Sequence, residues 1–297
     1  MKRLFLMLLP LLFLAGGGEQ KAAAMEQSIN LSTIANAREL GGYQTMDGKT
    51  VRAGVLLRTA ELTDASQEEL DYLIHNHKLA AVIDLRAAYE LAEEPEPVLE
   101  GVAQYNFRIM DEQLMAGRAA GIADLLTDPH ADPVKRIAAM LQAGVISDRM
   151  YVEFLQGEIG KAGYRDFFRV LLETPEGDAV LWHCTNGKDR TGVAAMLLLG
   201  VLNVDEETIM NDFMLTNQYF EEEITSMRQN IGAYIQDERM MEGFIVASKG
   251  VAASYMRNAI DYIKENYGSI PGYVKAELGL TDADIMKLQT LYTEYCD

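Results

Sequence analysis

The stretch that most constrains how this chain can fold lies between residues 179 and 202, where one hydrophobic pattern gives way to another. Ala179-Val180-Leu181-Trp182 is a brief apolar run that reads as a buried strand, whereas Val193 to Leu202 is apolar on every side and reads as a buried helix. Between them runs His183-Cys184-Thr185-Asn186-Gly187-Lys188-Asp189-Arg190-Thr191-Gly192. A strand that turns tightly into a helix can aim successive backbone N–H groups at one point, and the helix N-terminus adds partial positive charge there. The segment therefore predicts an anion cradle. Gly187 allows a backbone turn that a side chain would obstruct.

Cys184 falls at the base of this loop. A thiol facing a helix N-terminus and the Arg190 guanidinium is favoured as the thiolate, which makes it a nucleophile. The planar fork of Arg190 can grip two phosphate oxygens and stabilise the charge they gather in a transition state. Thr185, Asn186, Gly187, Lys188, Thr191 and Gly192 complete the expected phosphate-binding set. A nucleotide P-loop is excluded, because Asp189 stands where Ser or Thr is required and Trp182, five positions before Gly187, is not glycine. A sulfurtransferase loop would also carry a cysteine, but the Arg-Thr-Gly helix start suits phosphate better. The paired Cys184 and Arg190 argue against a phosphate-binding module without turnover.

A second apolar run, Leu79 to Leu85, reads as a buried parallel strand. The carboxyl ends of such strands line the ligand crevice in open α/β sheets, so Asp84 and Arg86 become site candidates. Arg58 joins them as a cation for a phosphate. Ser66-Gln67-Glu68-Glu69 reads as a capping box opening a helix to about Asn76. His75 and His77 at its end find no third metal ligand. Further helical patterns fall at 118–126, 133–142, 148–155 and 164–172, with a strand near 102–109.

The loop from His183 to Gly192 resembles the signature of cysteine-dependent tyrosine and dual-specificity phosphatases. Its Gly-Lys-Asp-Arg-Thr core looks like a bacterial branch that includes secreted mycobacterial and listerial phosphatases, a lipid phosphatase among them. Asn36-Ala-Arg-Glu-Leu-Gly-Gly42, Leu57-Arg58-Thr59-Ala60, Val82-Ile83-Asp84-Leu85-Arg86, Asn211 to Asn217, Tyr267-Gly268 and Leu278-Gly279-Leu280 resemble that branch too. The resemblance implies an α/β fold with a central, mostly parallel sheet flanked by helices and a helical C-terminal part. It implies phosphomonoester hydrolysis through a cysteinyl-phosphate, with no metal and no cofactor. The substrate would be a phosphoprotein or, alternatively, a phosphoinositide or inositol phosphate, whose polyanionic head group Lys188 would help to hold. Asp189 is implied as the general acid, since Asp148 and Asp166 lack a Trp-Pro-Asp context. His183 is expected to hydrogen-bond neighbouring backbone and tune the thiol, and Thr191 to polarise it. In the mycobacterial relative a helical lid covers the site. The corresponding residues 218–249, which hold Met227, Met240 and Met241, are expected either to form such a lid or to pack as an ordinary helical layer.

Composition narrows the partners. The chain carries a net charge of −19. Lys2-Arg3, the apolar stretch Leu4 to Ala15 and the small residues Ala22 to Ala24 read as a cleavable signal for export, because the run is too short to span a bilayer stably. That segment holds Lys2, Arg3 and Lys21 against Glu19, so its removal takes the charge to −21 and leaves one domain over residues 25–297. Such a surface repels nucleic acid and anionic lipid at long range. Positive charge must therefore be local, from Lys188 and Arg190 with Arg38, Arg58 and Arg86. Cys184 and Cys296 are the sole cysteines, too few for a disulfide framework, and Cys296 is expected to be a free thiol.

Overall fold

The computed structural model describes residues 27–128 and 130–295. The 1–24 segment and Cys296 lie outside the described residues. Seven strands fall at β1 (Arg38–Glu39), β2 (Lys49–Val51), β3 (Leu56–Thr59), β4 (Leu79–Asp84), β5 (Ala103–Asn106), β6 (Ala179–His183) and β7 (Thr293–Tyr295) among the described residues. Five of them form a sheet in the order β1-β3-β6-β4-β5, in which only the β1–β3 pairing is antiparallel. The fold is thus α/β with a central, mostly parallel sheet.

The strand read from Ala179 onward takes the central position, and its alternation explains why. Val180 and Trp182 point into one hydrophobic layer, where they meet Phe167, Phe168 and Leu197. Ala179 and Leu181 point into the other, with Leu57, Val82, Leu70 and Leu73. A strand buried on both faces has to be apolar throughout, and all five β6 residues are buried. In register, His183 at its end lies beside Thr59 of β3 and Asp84 of β4. Three strand ends therefore converge where the loop begins.

The helix Arg190–Val201 leaves the loop and is buried from Arg190 through Leu199, consistent with its lack of a polar face. The helix Gln67–Asn76 is capped by Ser66, whose hydroxyl accepts from the Glu69 N–H at 3.3 Å. The reciprocal half of the expected box does not form. The Glu69 carboxylate turns away to Ser32 and Thr33, accepting from both their N–H groups and hydroxyls, and pins the incoming chain to the helix. The helix expected over 164–172 runs from Glu158 to Glu173, and its Gly163 packs directly on backbone: a Cβ there would sit 2.6 Å from the Arg108 carbonyl. Likewise the pattern at 118–126 resolves into Glu112–Ala119, a 3₁₀ turn at Ala120–Ile122 and Ala123–Thr127.

Beyond Val201 the chain is helical: Glu206–Tyr219, Glu221–Ile231, Glu238–Ser248, Ala253–Tyr267, Ile270–Leu278 and Asp282–Tyr292. The helices Glu221–Ile231 and Glu238–Ser248 share a small apolar cluster of their own around Ile235, Met241, Phe244 and Ile245. Val134 and Ile137 from the helix Pro133–Gln142 pack against it. β7, which the sequence pattern does not announce, closes an antiparallel pair with β2 and ties the C-terminal end to the N-terminal segment. No helix among the described residues is long and apolar enough to cross a membrane.

Candidate active site

Cys184 follows β6 directly and is 1% exposed at the floor of a loop that ends where Arg190 opens its helix. The loop carbonyls face outward. Thr185 O accepts from the Glu61 N–H at 3.2 Å, Asn186 O and Gly187 O from Asn36 Nδ2 at 3.0 Å each, and Gly187 O also from Arg58 Nη2 at 2.9 Å. Across a planar trans peptide the N–H opposes the C=O. With three consecutive carbonyls turned out, the N–H groups of Asn186, Gly187 and Lys188 point to the loop's centre, as an anion nest requires. Gly187 has φ +63°, and a Cβ on it would collide with the Thr59 carbonyl and come within 2.7 Å of the Ala60 nitrogen. Gly192 is tightly placed as well, its Cβ position 3.2 Å from the Phe213 ring.

A buried charge network holds this loop from beneath. Asp212, on the helix Glu206–Tyr219, accepts from Arg38 Nε at 3.0 Å and from Arg58 Nη1 at 2.6 Å, with Tyr43 donating to it at 3.2 Å. Arg38 also donates to Asn36 Oδ1, so the residue that holds two loop carbonyls is itself held. Burial would raise the Asp212 carboxyl, but the two guanidiniums outweigh it and keep it below the usual carboxylate range. Arg58 is pushed down to about 10 by its burial and by the like charge of Arg38. It was expected as a phosphate ligand; instead it is fully buried and braces the loop, because Asp212 and Gly187 O take its donors.

Asp84 and Arg86 need the same correction. Arg86 has no exposure and is shared among Asp84, Glu61 and Glu96, with contacts of 3.1, 2.6 and 2.6 Å. It organises the carboxyl end of β4 rather than a substrate. Asp84, Glu96 and His183 bring one potential ligand atom each within 4.8 Å of one another, but Arg86 already supplies the positive charge between the carboxylates. His183 makes no hydrogen bond through its ring among the described residues. Its Nε2 lies 3.6 Å from Glu96 Oε1, and the expected bond to neighbouring backbone is absent among the described residues.

Arg190 is oriented by a residue the sequence pattern did not single out. Glu90, on the short helix Ala88–Glu93, accepts from Arg190 Nη1 at 2.5 Å and Nη2 at 2.8 Å, and from the Thr185 hydroxyl at 2.5 Å. This end-on grip leaves the Nε edge of the guanidinium directed elsewhere. Burial would raise the Glu90 carboxyl, yet Arg190 and Thr185 hold it down at about 2. For Arg190, burial disfavours charge, but the Cys184 sulfur, Glu90 and Asp189 more than offset this and push it well above the ordinary guanidinium value. Sulfur and guanidinium therefore share one electrostatic site.

Asp189 occupies the N-cap position of the helix but makes no capping bond. Its carboxylate accepts from the Tyr151 hydroxyl at 2.7 Å and lies 3.0 Å from Lys188 Nζ. Lys188, expected to face a phosphate, is 3% exposed and also donates to the Val246 carbonyl at 2.8 Å. Asn186 likewise reaches out of the loop, accepting from Lys249 Nζ at 2.7 Å and donating to Ser248 O at 3.4 Å. The helix Glu238–Ser248 thus sits against the loop's rim. Thr191 is fully buried, with its hydroxyl unbonded among the described residues.

Asn36, Arg38 and Asp212 lie in segments whose resemblance to phosphatases was visible, and their meeting beneath the loop explains that pattern. Glu90 and Tyr151 carried no such signal. The sequence profile of the tyrosine phosphatase family matches residues 29–294. A Cupriavidus necator protein named as a tyrosine-protein phosphatase is 28% identical over 88% of this chain and 86% of its own length. The triple specificity protein phosphatase PtpB of Mycobacterium tuberculosis is 26% identical over 80% and 91%, and a tyrosine-protein phosphatase of Nostoc commune 25% over 80% and 74%. With an outward-turned loop, a buried cysteine and a paired arginine all inside the matched span, the chain belongs to the tyrosine phosphatase family.

Proposed function

We propose that this phosphatase is an exported enzyme that hydrolyses phosphotyrosine, and to a lesser degree phosphoserine or phosphothreonine, through a cysteinyl-phosphate. The observation that carries this reading is the loop that follows Cys184, whose carbonyls are tied outward so that its amides turn in, while Arg190 shares the charge environment of the sulfur. The Cys184 sulfur attacks phosphorus as the ester P–O bond breaks, and Asp189 gives its proton to the leaving oxygen. Water then forms a new O–P bond, the S–P pair returns to sulfur, and Asp189 takes the water proton. Amides and Arg190 stabilise the equatorial oxygens in both steps.

The cation inventory favours a single phosphate over a polyphosphorylated head group. Lys188 is bound to Asp189 and Val246 O, and Lys249 to Asn186 with its ammonium 5.2 Å from the Phe220 ring centre. Arg38, Arg58 and Arg86 are committed to buried carboxylates. Arg190 is paired too, with Glu90, but end-on, which leaves its Nε edge for the substrate. We therefore rank phosphoinositide hydrolysis second, and a phosphate-binding role without turnover third. Residues 1–24 are read as a cleaved export signal and 218–249 as a lid, because the latter contacts the loop rim and carries its own apolar cluster.

The test is phosphate release from para-nitrophenyl phosphate, phosphotyrosine and phosphoserine peptides, and phosphoinositides, with Cys184→Ser as control. Release from the tyrosine peptide, lost in Cys184→Ser, is expected. Comparable or faster release from phosphoinositides reverses the ranking, and none from any monoester removes the reading. Exported protein should begin near Met25 by intact mass. Deleting Tyr219–Ser248 should raise activity on bulky substrates, and unfolding on deletion would mark the segment as core.

A further inference from the structure

We propose that Tyr151 is a positioning residue for proton transfer, a role that rests on Asp189 being the acid and base of the reaction. Tyr151 packs its ring in the core and aims its hydroxyl at Asp189. Its ring is 1% exposed and wedged among Phe154, Phe213 and Tyr255, with ring centres 6.0, 5.8 and 5.6 Å away. A hydroxyl on a ring so confined has a fixed position relative to the helix Met150–Gln156, and it donates to Asp189 Oδ1 at 2.7 Å.

Asp189 needs such a partner. It stands at a helix N-cap, where an Asp side chain ordinarily folds back onto its own helix, yet it makes no bond there. Lys188 Nζ donates to Oδ1 at 3.1 Å and lies 3.0 Å from Oδ2, where it supplies charge. Tyr151 donates to the same oxygen over a shorter distance and from a fixed ring, so Oδ1 is held and Oδ2 is left to carry the proton. In the first step that proton moves from Oδ2 to the departing ester oxygen. In the second, a water proton returns to Oδ2 as the new O–P bond forms and the S–P bond breaks. The Asp189 side chain keeps 19% of its surface exposed, the opening through which a bound ester would meet Oδ2.

Tyr151→Phe removes the donor and keeps the ring. The readout is kcat/KM, which reports the steps through transfer to sulfur, for an alkyl phosphate against 2,4-dinitrophenyl phosphate, whose leaving group departs without a proton. The ratio of the two within one preparation does not depend on how much of the variant is folded. We expect the alkyl substrate to lose roughly 10-fold and the dinitrophenyl ester under about 2-fold, a part of the 10²–10⁴ that a positioned acid contributes. In an Asp189→Asn background the same change should leave the ratio unmoved. Equal losses on both substrates, or a further change of ratio in Asp189→Asn, overturn the proposal. If Asp189→Asn itself shows no leaving-group dependence, the acid assignment falls and takes this proposal with it. A steep dependence in Asp189→Asn with none in Tyr151→Phe overturns the role of Tyr151 alone.

Discussion

Asp212 is the residue on which the loop's underside depends, and removing it should cost far more than its distance from the chemistry suggests. In Asp212→Ala two fully buried guanidiniums lose their shared carboxylate. Arg38 keeps Asn36 Oδ1, the backbone carbonyl of residue 212 at 3.0 Å and a 3.4 Å contact to the Thr216 hydroxyl, but Arg58, whose Nε has no partner among the described residues, keeps only Gly187 O. Deleting one partner of a buried ion pair typically costs about 3–5 kcal/mol, because the remaining charge stays desolvated. Against a stability of about 5–15 kcal/mol, that is a large fraction. For a chain of this size it lowers the melting temperature by roughly 10 °C. The same change frees Arg58 and, through Arg38, Asn36, so the loop should also lose its grip on oxyanions. Urea unfolding and kcat/KM on para-nitrophenyl phosphate should fall together in Asp212→Ala. A loss under about 1 kcal/mol with unchanged kcat/KM would falsify the bracing role.

Gly187→Ala should abolish phosphate release and weaken inorganic phosphate binding at least tenfold, because its φ of +63° and the facing Thr59 carbonyl both exclude a Cβ. Phosphate titration by calorimetry checks this. Asn36→Ala leaves the Asn186 and Gly187 carbonyls without their 3.0 Å donor, and should destabilise by about 1–3 kcal/mol in urea unfolding. Acid should destabilise the fold in a defined direction. The Glu69 and Glu90 carboxyls are depressed to about 2 and that of Asp212 is also lowered, so the stability they confer is present above their unfolded values, near pH 4 to 4.5, and is lost as pH falls toward 2. Urea midpoints from pH 7 to pH 2.5 should stay level and then drop, with a smaller drop in Glu69→Gln.

The nucleophile, the guanidinium and the loop between them were legible along the chain because their geometry is local. A strand, a glycine turn and a helix start within residues 179–202 leave little freedom in where Cys184 and Arg190 point. The same holds for β4, and for the helix cap at Ser66, where period and capping chemistry act over a few residues. The other arginines could not be sorted that way. Arg58 and Arg86 read as cations for a phosphate in sequence, and what makes each a buried strut is the carboxylate that reaches it. Asp212 arrives at Arg58 from 154 positions away, and Glu90 at Arg190 from 100. Tyr151 finds Asp189 across 38 residues only because the helix Met150–Gln156 packs against the helix Arg190–Val201. Pairings of that range are decided by how apolar faces pack, since a buried charge takes whatever partner the packing places beside it.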